Sequence, residues 1–456
     1  MTIHIDHPGS DDGRWAWLLK VIFSDMLDYE YTSSAKKNCS DVKISVGERE
    51  ISLPCIFLDE SNELNANEKF MPSLPLKHWD IPSDLTDGLL FKTIPVLFGE
   101  TNVNKKSNSY RISIDIFGTI FFMLSRFEEL NGPYETSHFR YSAKSSISYI
   151  EGFIERPIVD EYVQILRNCI RKFDPSLEKV CKSSNFLITC DVDYPYESST
   201  KNLLNLAKSL ASSLIIHKSI NIFVKRIKNF IYTLKGNYSY DDYWIFDWYL
   251  EQLRSYNRKG IFFFIPRSGP KGVDAAYELN EDRIISLLKK IIDSGHEIGM
   301  HASYNTFNNQ DELSKDFEKL NNIVLPYQTN GIRSNRQHFL RWKIQTTPDY
   351  LDEIGVDIDY SGGYHDHIGF RFGTSKIFTM WSWKKKSSLS LKQIPLLCMD
   401  VTLENYMKIS LSEGINRIRD LKKSVDAFGG NFSVLWHNSN LLTATHKKLF
   451  REILKL

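Results

Sequence analysis

Residues 187–193 read Leu-Ile-Thr-Cys-Asp-Val-Asp, an apolar run that ends abruptly in two carboxylates. With Phe186 in front, the run has the pattern of a strand buried in a sheet. Acidic residues at its exit stand where barrel and open-sheet enzymes place their chemistry. Asp also caps helices and opens turns, so the motif by itself leaves both readings standing. Two neighbouring carboxylates can bind a divalent cation together, or one can hold the ion while the other takes a proton.

Downstream of Phe186, apolar strands alternate with helical segments, the rhythm of a parallel α/β fold. The pattern predicts strands over 186–190, 260–265, 297–300, 331–333, 393–398 and 432–435. Helices are expected between them over 243–257, 281–294, 311–323, 347–354 and 412–428. Upstream, short β-like runs (42–46, 51–58) alternate with loops rich in Asn, Ser and Pro. A strongly apolar helix is expected over 115–130, stopped by Asn131-Gly132-Pro133, and a second from Pro157 to Arg171. A chain of 456 residues exceeds one ordinary core. We place a boundary near Lys182-Ser183-Ser184. A smaller mixed α+β domain of unknown role then covers 1–182, and the α/β domain covers 183–456.

Hydrophobic residues make up 42% and charged residues 25% of the chain, a globular composition. Lys+Arg 57 against Asp+Glu 56 leaves a net charge of +1, so no global field favours nucleic acid or an acidic partner. The six cysteines (Cys39, Cys55, Cys169, Cys181, Cys190, Cys398) are scattered and several sit in apolar runs, which reads as reduced thiols. No basic-then-apolar leader opens the sequence, and no run approaches the roughly 20 apolar residues of a membrane span. The expectation is a cytoplasmic protein. In 201–235, Lys208, Lys218, Lys225, Arg226 and Lys228 alternate with apolar residues at helical spacing. A basic amphipathic helix can lie on an anionic membrane. The plainer reading is a solvated helix covering the barrel, or a partner contact.

Unusual polar residues gather at the strand exits. The strand ending at Met300 runs into His301, with Gly295 before it as a helix cap, and that ending at Leu435 runs into Trp436-His437-Asn438. The strand near Gly331 leads into Arg333, Arg336, His338 and Arg341. A single His at a strand end is usually a hydrogen-bonded structural residue. Asp191, Asp193, His301 and His437 at the same end of successive parallel strands would converge on one pocket in a closed β/α barrel. Such a set supports metal-assisted hydrolysis. Zinc, the divalent metal we expect, accepts imidazole and carboxylate and keeps a position open for water, whose pKa it lowers to about 7.

These residues resemble the polysaccharide deacetylase family (carbohydrate esterase family four) across roughly 185–440. The motifs that carry the resemblance are Thr189-Cys190-Asp191-Val192-Asp193, His301-Ala302-Ser303-Tyr304-Asn305, Arg336-Gln337-His338, the 359–371 loop and Leu435-Trp436-His437. A bacterial branch with an extra N-terminal domain, often associated with surface-polysaccharide synthesis, is more similar still. It shares Phe-Phe-Met-Leu-Ser-Arg-Phe-Glu-Glu at 121–129, Arg-Gln-His-Phe-Leu-Arg at 336–341, Gly-Phe-Arg-Phe-Gly-Thr at 369–374 and Leu-Trp-His-Asn at 435–438. The resemblance implies a distorted (β/α) barrel, with Asp191 as catalytic base, Arg336 orienting it and His437 as general acid. It implies His301 as a metal ligand, and a substrate pocket lined by the loop that carries Asp359, Asp366 and Arg371.

The chain departs from the family pattern twice. Val192 takes the place of the second Asp, so Asp193 becomes the carboxylate ligand. Asn305 takes the place of the second metal histidine and offers only a neutral oxygen, a poor zinc donor. His338, His365 and His367 are candidates to complete the site. Otherwise His338 and Arg341, with Arg333 and Arg336, form a basic cluster for a sugar carboxylate or diphosphate. Trp436, beside His437, is the candidate pocket wall. Cys190 reads as a strand-end core residue.

The expected function is metal-dependent hydrolysis of an N-acyl (acetyl or formyl) group on an amino sugar of a surface glycan or its lipid- or nucleotide-linked precursor. The alternative is a glycan-binding or scaffolding protein on a decayed enzyme fold, motivated by Val192 and Asn305.

Overall fold

The computed structural model describes residues 3–9, 13–36, 39–58, 70–177, 183–267 and 273–456. Cys181 lies outside them. The fold is mixed α/β with parallel strands. It divides into two compact units, one of Met1–Phe186, Phe339–Cys398 and Asn416–Ser433, the other of Leu187–His338, Met399–Ile415 and Val434–Leu456. The single boundary drawn near residue 182 from the sequence therefore becomes a division that the chain crosses several times.

In the first unit a six-stranded mixed sheet runs in the order Tyr31–Lys36, Ile3–Pro8, Asp41–Val46, Arg49–Pro54, Ser109–Ile114, Gly99–Lys106. Val42, Ile44 and Val46 are buried at every second position, which fixes the face of their strand and the hairpin register with Arg49–Pro54. The helix Ile116–Leu124 buries all nine of its residues. Asp115 caps it by accepting the Gly118 N–H at 2.7 Å, and its other oxygen accepts from Ile56 and Phe57 N–H. This helix ends at Leu124, short of the expected 130. Arg126 takes a left-handed backbone (φ 53°) and turns its guanidinium inward onto Glu128 at 2.6 Å and Glu129 at 2.7 Å. A strand expected over 393–398 is broken as well. Ser387–Gln393 and Cys398–Met399 are separate strands with different neighbours, and Pro395, which has no N–H to donate, lies in the segment between them.

The second unit holds parallel strands Asn185–Val192, Gly260–Phe264, Glu297–Ala302 and Ser334–Gln337, in register Phe263↔Asp191, Phe264↔Met300 and His301↔Arg336. Thr189 ties the chain from Val434 to Trp436 alongside. Its hydroxyl donates to Val434 O, and its carbonyl accepts from Trp436 N–H. All five residues of Gly260–Phe264 are buried, as a strand covered on both faces requires. The helix Asp282–Asp293 buries Ile284, Leu287, Leu288 and Ile291, one apolar stripe, and Gly295 (φ 82°) closes it. The strand expected at 331–333 lies three residues later. Gly331 has φ 60°, and the Asn321 side chain holds Ile332 N–H at 2.9 Å in the preceding turn. Gly299 is a packing requirement, since a Cβ there would stand 2.5 Å from the Phe263 ring and 2.6 Å from Ser334 Oγ.

Candidate metal centre

Four strand exits of the second unit supply the polar cluster. Asp191 and Asp193 are two residues apart, so their side chains share a face. Both meet His301: its Nε2 lies 3.3 Å from Asp193 Oδ1 and 3.6 Å from Asp191 Oδ2. His338 Nε2 lies 3.8 Å from the same Asp193 Oδ1, and His437 Nε2 lies 3.8 Å from Asp193 Oδ2. Three imidazoles thus present one ring nitrogen each to a single carboxylate.

The opposite ring nitrogens are all anchored. His301 Nδ1 donates to Arg336 O at 2.8 Å, His338 Nδ1 to Asp274 Oδ1 at 2.7 Å and His437 Nδ1 to Asp400 Oδ1 at 2.8 Å. Because every acceptor is an oxygen without a proton, Nδ1 carries the hydrogen and Nε2 keeps its lone pair in the neutral ring. This is the arrangement that metal-binding histidines adopt. Asp400 is itself fixed by Val401 N–H, His437 N–H and the Asn440 amide. Asp274 also accepts Tyr304 N–H at 2.9 Å.

Electrostatics follow from this crowding. Burial pushes Asp193 upward, but His338, His301 and His437 outweigh it and hold the carboxyl well below the usual range. Burial opposes a charge on His301, yet Asp191 and Asp193 raise its pKa. For His437, Asp400 and then Asp193 and Asp191 overcome burial and lift the pKa to about 10.

Asp193, His301 and His338 offer donor atoms that all lie within 4.8 Å of one another. Two imidazole nitrogens and a carboxylate oxygen suit zinc and leave a position open. Among the described residues the buried Oδ1 of Asp193 accepts no hydrogen bond, and its neighbours are the two imidazoles of the group. Asn305, expected as a ligand, is exposed and outside this group. His338, read from the sequence both as a candidate to complete the site and as a substrate contact, belongs to this group.

Arg336 is fully buried, with Nε 3.4 Å from Asp191 Oδ1 and Nη2 donating to Thr189 Oγ1 at 2.8 Å. Trp436 is no pocket wall. It is buried edge-on to Phe450, and its carbonyl accepts from the Tyr249 hydroxyl. Cys190 is buried, and burial pushes its thiol well up, in keeping with a core residue.

Four other expected substrate contacts lie in the first unit, each engaged there. Arg341 Nε donates to His138 O at 2.7 Å, Asp359 accepts from Ser361 N–H and Oγ, and Asp366 accepts from Ser142 Oγ and Ala143 N–H. Arg371 makes a bidentate pair with Glu129 at 2.6 and 2.9 Å. Of the basic residues read together from the sequence, Arg333 is exposed while Arg336 and His338 are buried. His365 and His367 also belong to the first unit, and burial with Arg140 lowers the His365 pKa to about 4. Asp274 and Asp400, which orient two of the three imidazoles, were missed by sequence reasoning. Each is remote in sequence from its histidine, and no spacing rule joins them.

Residues 3–175 match the model of a family of unknown function, DUF7033. Comparison with curated proteins gives no match. Among solved structures, a Mycobacterium smegmatis protein assigned as a polysaccharide deacetylase is 14% identical, with TM-score 0.37 over 60% of this chain and 85% of that one. A CE4-family pseudoenzyme from Bacillus anthracis is 10% identical, with TM-score 0.30 over 60% of each chain. A family 4 acetyl xylan esterase from Clostridium thermocellum, in complex with a cobalt ion, is 19% identical, with TM-score 0.21 over 40% of this chain and 60% of that one. Likenesses this distant assign neither a fold family nor an activity to the chain.

Proposed function

We propose that the second unit holds a divalent cation, zinc by preference, through Asp193, His301 and His338, and removes an N-acyl group from an amino sugar. The substrate class is a surface polysaccharide or its lipid- or nucleotide-linked precursor, and the parallel strands belong on this reading to a deacetylase-type barrel. The observation that supports it best is the convergence of three imidazole Nε2 atoms on Asp193 with every Nδ1 anchored.

When bound, the cation polarises the acyl carbonyl and lowers the pKa of water. Asp191 turns Oδ1 to Arg336 and Oδ2 toward His301, which leaves Oδ2 to take the proton of the attacking water. His437 is kept protonated by Asp400 and gives the Nε2 proton to the leaving amine nitrogen. The products are the carboxylic acid and the free amine. A spent, glycan-binding fold draws its support from Asn305 and Val192, and the group of Asp193, His301 and His338 weighs against it.

The test is metal content together with amine release from an N-acetylated amino-sugar glycan. The purified full chain should carry about one equivalent of zinc, lost in His301→Ala, and should release amine. Asp191→Asn should keep the metal and lose the release. Absence of metal at neutral pH with zinc supplied, or release undiminished in Asp191→Asn, refutes the reading.

A further inference from the structure

The helices Leu203–Ile215 and Ile220–Thr233 of the second unit are capped by Asn202 and Ser219. Between them they bury only Ser213, Asn229 and Phe230. Aliphatic side chains at their ends face outward: Leu203 is 71% exposed, Ile215 73%, Ile216 72%, Ile220 73% and Leu234 72%. On the second helix the exposed Ile220, Val224, Ile231 and Leu234 recur with the half-buried Ile227 at spacings of four and three. The solvated helix read from the sequence would turn such a stripe inward. Single exposed apolar residues are ordinary on protein surfaces, but a stripe and a tip of them are not.

Charge decides what covers this surface. Residues 198–240 contain seven Lys or Arg and no Asp or Glu, in a chain whose bases and acids balance overall at 57 against 56. Three of these cations are engaged: Lys225 with Asp242, Arg226 with Glu197, and Lys201 with Ala276 O. Lys208, Lys218, Lys228 and Lys235 are exposed and form no ion pair among the described residues. A second copy of the chain meeting this face two-fold would set cations against cations. A nucleic acid would reward lysines and aromatic faces, not aliphatic tips. Aliphatic side chains ringed by unpaired lysines match the acyl boundary and headgroups of an anionic bilayer. Among the described residues no helix is long and apolar enough to cross a membrane, so the contact is one of lying on the surface.

We propose that the 203–234 helical pair is a docking surface for anionic lipid membranes, with Leu214, Ile215, Ile216 and Ile220 at its tip entering the acyl boundary. The proposal does not depend on the metal centre. It is tested by co-sedimentation of the full chain with vesicles of phosphatidylcholine alone, or with about one third phosphatidylglycerol. Binding should require the anionic lipid and weaken with salt. Each lysine near such a surface is worth roughly fivefold in partitioning. Replacing Lys208, Lys218, Lys228 and Lys235 together by Gln should therefore cost about a hundredfold or more. Ile215→Ser, Ile216→Ser and Ile220→Ser combined should cost about tenfold or more. These side chains are exposed, so both variants should melt like the parent chain. No sedimentation with anionic vesicles, equal binding to neutral ones, or binding that both variants retain overturns the proposal. So does a dimer that the serine variant converts to monomer without any vesicle binding in the parent.

Discussion

His338 depends for its orientation on Asp274, and this dependence can be measured without any turnover. Asp274 Oδ1 accepts from His338 Nδ1 at 2.7 Å and from Tyr304 N–H at 2.9 Å. Asp274→Ala frees the imidazole to rotate and to move its proton to Nε2, where the proton would occupy the lone pair that faces Asp193. Loss of such an outer partner costs metal affinity about 10–100-fold, or about 1.4–2.7 kcal/mol. Asp274→Asn keeps an acceptor oxygen and should stay near the lower end. His338→Ala removes the donor itself and should lie beyond the upper end. Zinc affinity of each variant, read by competition with a chromophoric chelator at fixed pH, should fall in the order parent, Asn, Ala, His338→Ala. The lost hydrogen bonds also cost about 1–3 kcal/mol of stability, so the titration belongs well below the melting temperature. Unchanged zinc affinity in His338→Ala would show that His338 is no ligand and would undo the assignment of the third corner.

Four further outcomes are expected. Zinc displaces protons held on His301 by Asp191 and Asp193, so affinity should weaken as pH falls through the raised His301 pKa, and calorimetry in two buffers should show proton release. In the metal-free chain His437 titrates near about 10 against an ordinary 6.5. Its contribution to stability is therefore full below about 6.5 and fades as pH rises through 10. Proton NMR should show this titration moving down in Asp400→Asn. Glu129→Gln leaves the buried Arg126 and Arg371 short of a carboxylate, and the urea midpoint should drop by the equivalent of about 3–5 kcal/mol. Gly299→Ala forces a methyl against the Phe263 ring and should cost about 1–3 kcal/mol in the same measurement.

The parallel strands of the second unit were legible because burial on both faces leaves near-continuous apolar runs, and Gly260–Phe264 and Glu297–Ala302 carry them openly. Asp191, Asp193, His301 and His437 were legible for the same reason, since polar residues that interrupt such runs stand out. His338 was one of three histidines, with His365 and His367, that could complete the site. Its strand exit neighbours that of His301, the two strands being paired through His301↔Arg336. That pairing is a matter of register, which one sequence does not reveal. The strings at 121–129 and 369–374 had another cause. Arg126 donates to Arg371 O, and Arg371 pairs with Glu129, so the two strings specify one buried ion network in the first unit. Residue types that bind substrate in one setting hold a core together in another.

What separates the proposed acid from the proposed ligands is the carboxylate of Asp193 itself. His301 and His338 face its Oδ1, while His437 faces Oδ2. A cation seated between Oδ1 and the two imidazoles would therefore stand on one side of the carboxylate, with His437 on the other. The outer partners follow the same division. His301 rests on a neutral backbone carbonyl, which fixes the ring without adding charge, whereas His437 rests on Asp400, a carboxylate already held by three other donors. A formal charge against Nδ1 favours the imidazolium and a carbonyl does so far less. His338, with Asp274 behind it, has the same kind of partner as His437, so partner type alone does not make an acid. Which oxygen of Asp193 each ring faces is what divides the three similar imidazoles into two proposed ligands and one proposed proton donor.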